Sequence, residues 1–313
     1  MTNKKEEKIT YNQLFTSLPE QIDIMSLHKH NEILYAGTPN GLFKLSGSYP
    51  SYKLEKVNLT YDLTFIRSIF TDNKNNLWIG SSNGLLCISP DNKEILYTQE
   101  SGILPDNRIN SITQTSDNSL WVATWGGAAC INEDGSSNIY TKENGLLVDM
   151  VNIIIEDKSG ALWFASYNVR GGGISYLKNS KFHYFTENNG LANINTTSFL
   201  FKDDNTLWIG SGIYESGGIT VFSLSNNLPI IKKIIDKNDG LAGMKVRSIY
   251  NYNNTIIIGS EYDGITIWDD KKEIYTTYNG LPHNEVKSFE IYDNKLFLGT
   301  RAGLCFSKEG RNK

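Results

Sequence analysis

The sequence predicts an all-β chain, a seven-bladed β-propeller of four-stranded antiparallel blades forming one domain over residues 1–313. Two observations predict it. One short phrase recurs seven times, and the segment around each copy breaks into several brief strand-like runs. The phrase pairs two apolar or aromatic residues, adds a third apolar one, then Gly or Ala, then Ser or Thr. It reads Leu34-Tyr35-Ala36-Gly37-Thr38, then Leu77-Trp78-Ile79-Gly80-Ser81, and then Leu120-Trp121-Val122-Ala123-Thr124. It continues through Leu162-Trp163-Phe164-Ala165-Ser166 and Leu207-Trp208-Ile209-Gly210-Ser211 to Ile256-Ile257-Ile258-Gly259-Ser260 and Leu296-Phe297-Leu298-Gly299-Thr300. The steps between copies are 43, 43, 42, 45, 49 and 40 residues. A period of this size with several strands per unit marks a propeller.

The unit around Trp78 shows the four strands in order. Ile66-Arg67-Ser68-Ile69-Phe70 comes first, a polar turn at Asp72-Asn76 follows, and the Trp strand is second. Gly84 opens Leu85-Leu86-Cys87-Ile88, and Glu94-Ile95-Leu96-Tyr97-Thr98 closes the unit. Short runs rich in β-branched and aromatic residues, bounded by Asn, Asp, Gly and Ser, are strand and turn chemistry. No stretch keeps helical apolar spacing for long. The third residues of the first strands are Ser26, Ser68, Ser111, Ile153, Ser198, Ser248 and Ser288, mostly slim, as the crowded innermost strand requires. The recurring Trp, or its substitute, is expected between neighbouring blades.

The last unit stops after Gly303-Leu304-Cys305-Phe306 without a fourth strand. Ile9-Thr10-Tyr11 followed by Leu18-Pro19 matches Ile95-Leu96-Tyr97 followed by Leu104-Pro105, so residues 7–15 are expected to supply that strand and close the ring. Closure removes exposed edges.

Composition narrows the function classes. An apolar content of 39% over 313 residues supplies a substantial core. A net charge of −4 argues against a general nucleic-acid binder. No apolar run approaches a membrane span, and Met1-Thr2-Asn3-Lys4-Lys5-Glu6-Glu7 lacks the apolar core of a signal peptide, so a cytoplasmic protein without membrane insertion is expected. Three cysteines, Cys87, Cys130 and Cys305, are too few for a disulfide framework and fall on third strands as small core residues.

A second signature recurs between the units: Gly102-Ile103-Leu104-Pro105, Gly145-Leu146-Leu147, Gly190-Leu191, Gly240-Leu241 and Gly280-Leu281-Pro282. Together with Leu-Trp-Ile-Gly-Ser and Asn83-Gly84-Leu85 it resembles the two-component regulator propeller repeat. That resemblance implies a bacterial protein and a ligand-sensing propeller, in its best-known setting the extracytoplasmic region of hybrid histidine kinases. No kinase, transmembrane helix, second propeller or following β-sandwich module is recognisable in this sequence. The Trp-and-Gly repeats are also similar to those of streptogramin lyases, which look like seven-bladed metal-dependent enzymes; none of their catalytic or metal-binding residues is carried over to this sequence.

Strand order puts the Gly-Leu connections and the loops between second and third strands on one face. Five of these loops hold two or three residues, whereas blades four and five hold six each, Tyr167-Asn168-Val169-Arg170-Gly171-Gly172 and Gly212-Ile213-Tyr214-Glu215-Ser216-Gly217. Non-repeating loops are where repeat folds keep function. Trp125, Tyr167, Tyr214 and Tyr262 are expected to form an aromatic wall there, with Arg170 and Glu215 beside it, for a ring-bearing or peptide-like ligand.

The channel mouth is expected to gather Arg67, Arg108, Arg247 and Lys287, cations that suit a carboxylate or phosphate on a small-molecule or peptide ligand. The alternative is that Arg247 and Lys287 pair with Glu261, Asp263 or Glu285. For an enzyme (a metal-assisted lyase, hydrolase or cyclase), His283 is the general base and Glu285 its catalytic partner. Glu261, Asp263 and Glu285 are then the candidate ligands of a divalent metal such as Mg2+ or Ca2+. A protein-interaction scaffold is the third reading. Fold alone does not choose among the three.

Overall fold

In the computed structural model, which describes residues 14–168, 170–225, 227–252 and 254–308, seven four-stranded antiparallel sheets form a closed ring. The inner strands are Ser26–His30, Ser68–Thr71, Ile109–Gln114, Val151–Glu156, Thr196–Asp203, Val246–Tyr252 and Val286–Tyr292. Each is followed within its sheet by the phrase-bearing second strand, a third strand and an outer strand. The only helical pieces among the described residues are five three-residue 3-10 turns, each leading into a Gly of the Gly-Leu signature. At four of them a Thr or Asp forms a capping box with the Asn or Asp three residues later, which fixes the passage from one blade to the next.

Ring closure occurs as expected, but later in the sequence. Phe15–Ser17 is the outer strand of blade seven, with Phe15 opposite Ser307 and Ser17 opposite Cys305. Ile9-Thr10-Tyr11 lies outside the described residues. The buried anchor of the closing strand is Phe15, 2% exposed and edge-on to Tyr275 at 5.8 Å.

The core is not one mass but seven clusters, each at a junction between blades. The large residue of one second strand packs on the next blade: Trp78 against Ile109 and Leu120, Trp121 against Val151 and Phe164, Trp163 against Leu207 and Phe222, Trp208 against Val246 and Ile256. Phe297 does the same against Ile24 and Leu34. Two of the indole N–H groups find partners in the turn before their strand. Trp78 Nε1 donates to Asp72 Oδ2 at 2.8 Å, and Trp163 Nε1 to Asp157 Oδ2 at 3.0 Å.

The inner ring is stitched by side chains. Ser26 Oγ donates to Ile66 O, Asn110 Nδ2 to Val151 O, Asn152 Nδ2 to Thr196 O, Thr197 Oγ1 to Val246 O and Ser248 Oγ to Val286 O, at 2.5–3.1 Å. Ile112 N donates to Ser68 Oγ at 3.1 Å, and Lys287 Nζ to Asp23 Oδ1 at 2.6 Å. Every junction therefore carries one such bond. The small residues of the innermost strand are more than slim: several serve as cross-blade donors, and a Cβ on Gly259 would lie 2.4 Å from Ser248 Oγ.

Candidate functional site

The residues lining the channel are aimed by an irregularity in the inner strands. In blades three to seven the pairing with the second strand slips by one residue after the first position, for example between Ile109 and Ser111 and between Val246 and Ser248. A β-bulge leaves its extra residue out of the ladder and re-aims its side chain. The extra residues are Asn110, Asn152, Thr197, Arg247 and Lys287. All five line a central cavity of about 270 Å³ together with Met25, Arg67, Ser68, Ser111 and Ile153.

This cavity holds three cations and no carboxylate among its lining residues. Its acids stand just outside, on blades six, seven and one. Lys287 Nζ lies 2.6 Å from Asp23 Oδ1 and 3.6 Å from Glu285 Oε1. Arg247 lies 3.9 Å from Glu285 Oε1 and 3.5 Å from Glu261 Oε2, while Lys245 Nζ is 2.7 Å from the same Glu261 oxygen. Burial pushes the Glu261 carboxyl up, but the Lys245 hydrogen bond and the Arg247 charge outweigh it and hold the group below its usual range. Arg301 joins from the exposed side at 3.8 Å from Glu285 Oε2. Among the lining residues two buried groups have no hydrogen-bond partner: Arg247 Nε, whose approach to Glu261 lacks hydrogen-bond geometry, and Ser111 Oγ.

Arg67 differs from these cations. Among the described residues it has no carboxylate within ion-pair distance. Its Nη1 donates to Ser82 Oγ at 2.9 Å, and its guanidinium lies 5.5 Å from the Phe65 ring centroid. Burial, followed by the like charges of Arg247 and Arg108, lowers its pKa.

Arg108, expected to join this group, is engaged elsewhere. It makes a two-pronged contact to Asp106, Nε to Oδ1 at 2.9 Å and Nη2 to Oδ2 at 2.6 Å, and stacks 4.6 Å from the Trp125 ring centroid. Trp125 in turn donates Nε1 to Asn110 Oδ1 at 3.0 Å, so it supports the Asn110 stitch.

A second hollow of about 550 Å³ lies on the same face between blades five and six. Tyr214, Glu215, Lys237, Met244, Tyr262 and Asp263 line it. The expected six-residue loop of blade five is not a loop. Its residues extend two strands, Thr206–Ile213 and Ser216–Ser223, with Gly212 opposite Gly217 and a tight turn at Tyr214-Glu215. These two glycines have φ of 149° and 144°, and a Cβ on either would meet Met244 O within 2.9 Å. Glycine alone lets this hairpin lie against the backbone of blade six. Tyr214 is 73% exposed and Tyr262 49%. The Tyr262 phenol, hydrogen-bonded to Glu261, is pushed up to about 12, and it lies within electrostatic reach of Tyr167 and Tyr214. Blades five and six therefore set two of the four expected aromatics, Tyr214 and Tyr262, on one hollow. Arg170 is exposed in the blade-four loop, its amide held by Asn168 Oδ1 at 2.9 Å.

The catalytic and metal candidates are dispersed. Among the described residues no three His, Cys, Asp or Glu side chains group to hold a metal ion. Glu261 and Glu285 face Lys and Arg side chains, and Asp263 lies 3.8 Å from Lys237 Nζ. His283 Nδ1 accepts the Glu285 backbone N–H at 2.8 Å, so a neutral ring carries its proton on Nε2.

Lys237, Met244 and Arg301 escaped the sequence reading. Arg301 directly follows the repeated Thr300, the position of Trp125, Tyr167 and Glu261 in their blades, and that alignment is the signal that could have found it. The bulges had a signal too, because apolar residues three apart, such as Ile109 and Ile112, break strand alternation.

Residues 60–83 and 103–126 match the two component regulator propeller repeat. No curated protein matches the chain. Among solved structures, it superposes with TM-score 0.77 and 19% identity on the extracellular domain assigned to a hybrid two component system, BT3049, of B. thetaiotaomicron. That match covers 94% of this chain but 41% of the other, so this chain spans less than half of that domain. A virginiamycin B lyase from Staphylococcus aureus matches with TM-score 0.67 and 13% identity over 94% of this chain and 98% of the lyase. Identities this low establish a shared propeller fold. None of the helices among the described residues is long and apolar enough to cross a membrane.

Proposed function

We propose that this protein is a ligand-binding propeller whose small-molecule or peptide ligand places an anionic group in the mouth of the central channel. One observation carries the reading: the cavity is lined by Arg67, Arg247 and Lys287 with no lining carboxylate, and Arg67 has no acidic partner among the described residues. A guanidinium focused into a narrow polar cavity attracts carboxylate or phosphate, and bidentate contact adds specificity. Thr197, Asn110 and Ser111 supply neutral polar groups beside it. The two-component neighbour supports a sensing role, and its matched domain is extracellular, which gives no support to the cytoplasmic placement expected from the first residues. The lyase likeness extends to the fold, whereas a lyase reading would need a free base where His283 Nδ1 is already engaged.

Titration calorimetry with succinate and with inorganic phosphate tests the reading. Arg67→Gln should weaken the tighter anion roughly tenfold, the scale of one charge-assisted contact. Its melting temperature should fall only slightly, because the substitution loses one hydrogen bond to Ser82 and the Phe65 contact but no ion pair. Added salt should weaken binding to the unaltered protein. Equal affinities for the two proteins, or no binding of either anion, would overturn it.

A further inference from the structure

The hollow between blades five and six has the opposite electrical character to the channel. Tyr214 and Tyr262 present two exposed aromatic rings, and Glu215 has no cation within ion-pair distance among the described residues. Asp263 shares the hollow with Lys237, but at 3.8 Å and with both side chains more than a third exposed that pair is loose. The hollow therefore carries two carboxylates against one ammonium. Aromatic faces beside carboxylates are chemistry for a cation, since the ring quadrupole attracts positive charge. The Tyr262 ring already has Lys245 Nζ 5.8 Å from its centroid, so the fold itself uses it as a cation platform.

The two hollows are joined by continuous backbone. Met244 lines one and Arg247 the other, three residues along the chain, which is at most about 10 Å of extended backbone. Tyr262 of the first directly follows Glu261, the acid beside Arg247. We propose that the ligand of this face is zwitterionic: a short peptide whose N-terminal ammonium lies between Tyr214 and Tyr262 and whose C-terminal carboxylate reaches Arg67 and Arg247. This rests on the anion reading of the channel mouth and adds a cationic end to it. Three residues of extended peptide span about 10 Å, the reach of the backbone that joins Met244 to Arg247.

Trialanine is the probe, with its N-acetylated form lacking the cation and its C-terminal amide lacking the anion. Acetylation should weaken binding roughly tenfold, the upper range of an exposed cation–aromatic contact with a carboxylate added. In a Tyr214→Ala, Glu215→Gln double variant the free and acetylated peptides should bind equally, and the exposure of both residues leaves the fold intact. Equal binding of free and acetylated peptide to the unaltered protein would overturn the proposal. So would failure of trialanine to bind at millimolar concentration. The two readings fail separately. If succinate binding depends on Arg67 while acetylation has no effect, the cationic subsite falls and the channel reading stands. If amidation has no effect, the peptide's carboxylate does not reach Arg67 and Arg247, and the peptide proposal falls while succinate still decides the channel reading.

Discussion

Trp163 is fully buried, hydrogen-bonded to Asp157 and packed edge-on to Phe222 at 5.3 Å. Trp163→Ala removes that packing and the indole hydrogen bond to Asp157 Oδ2, so a stability loss of about 3–5 kcal/mol is expected in denaturant titration. Ser248→Ala deletes one cross-blade bond and should cost about 1 kcal/mol. A cost near zero would show that the stitch adds nothing. The Trp role was legible because large apolar residues recur at fixed spacing. The Ser role was not, because a small residue reads the same whether it fills space or donates a hydrogen bond. Arg67, Arg247 and Lys287 were legible as a group from their common place in the repeat, but sequence alone could not tell that Arg108 would be held by Asp106, only two residues away.

Two elements depart from the repeat, and each has a measurable consequence. In blade one, His28 Nε2 and His30 Nδ1 both bond Thr71 Oγ1 of blade two, at 2.8 and 2.9 Å. Burial, then the charge of His30, lowers His28 from 6.5 to about 4. The folded protein thus binds fewer protons than the unfolded chain between these values. The stability contributed by neutral His28 is present above pH 6.5 and is lost as pH falls toward about 4. Glu290, raised chiefly by burial, acts in the opposite direction, so the comparison must isolate the histidine. His28→Gln should show a smaller fall in unfolding free energy over that range than the unaltered protein, and parallel curves would dismiss the assignment.

The second element is the blade-five hairpin. Gly217→Ala places a methyl 2.4 Å from Gly212 Cα at a φ of 144°, so the hairpin must shift off blade six. Trialanine binding should weaken while succinate binding persists. Counting residues revealed an insertion here, but not its shape, because the same six residues suit a loop or an extension of two strands. The pairing of Gly212 with Gly217 decides it.

At the scale of the molecule, the period of the repeat was enough to predict seven blades and a closed ring. The exact bounds of the closing strand were not legible, because Phe15–Ser17 carries almost no pattern beyond one buried aromatic. Deleting residues 1–17 removes Phe15 and its pairing to Gly303–Ser307, exposing Cys305 and Tyr275. The truncated protein should lose about 3 kcal/mol or more and melt at a lower temperature, and melting at the same temperature would contradict the closure. The same ring brings its seven inner strands together around one axis, so their bulged residues meet in a single cavity. The cavity is therefore a property of the closed ring, which no isolated blade possesses. The most direct test is to locate an anion. Anomalous diffraction from crystals soaked in selenate should place selenium in the central channel within hydrogen-bond reach of Arg67 and Arg247. Selenium found only elsewhere on the protein, with the channel empty of it, would contradict the account.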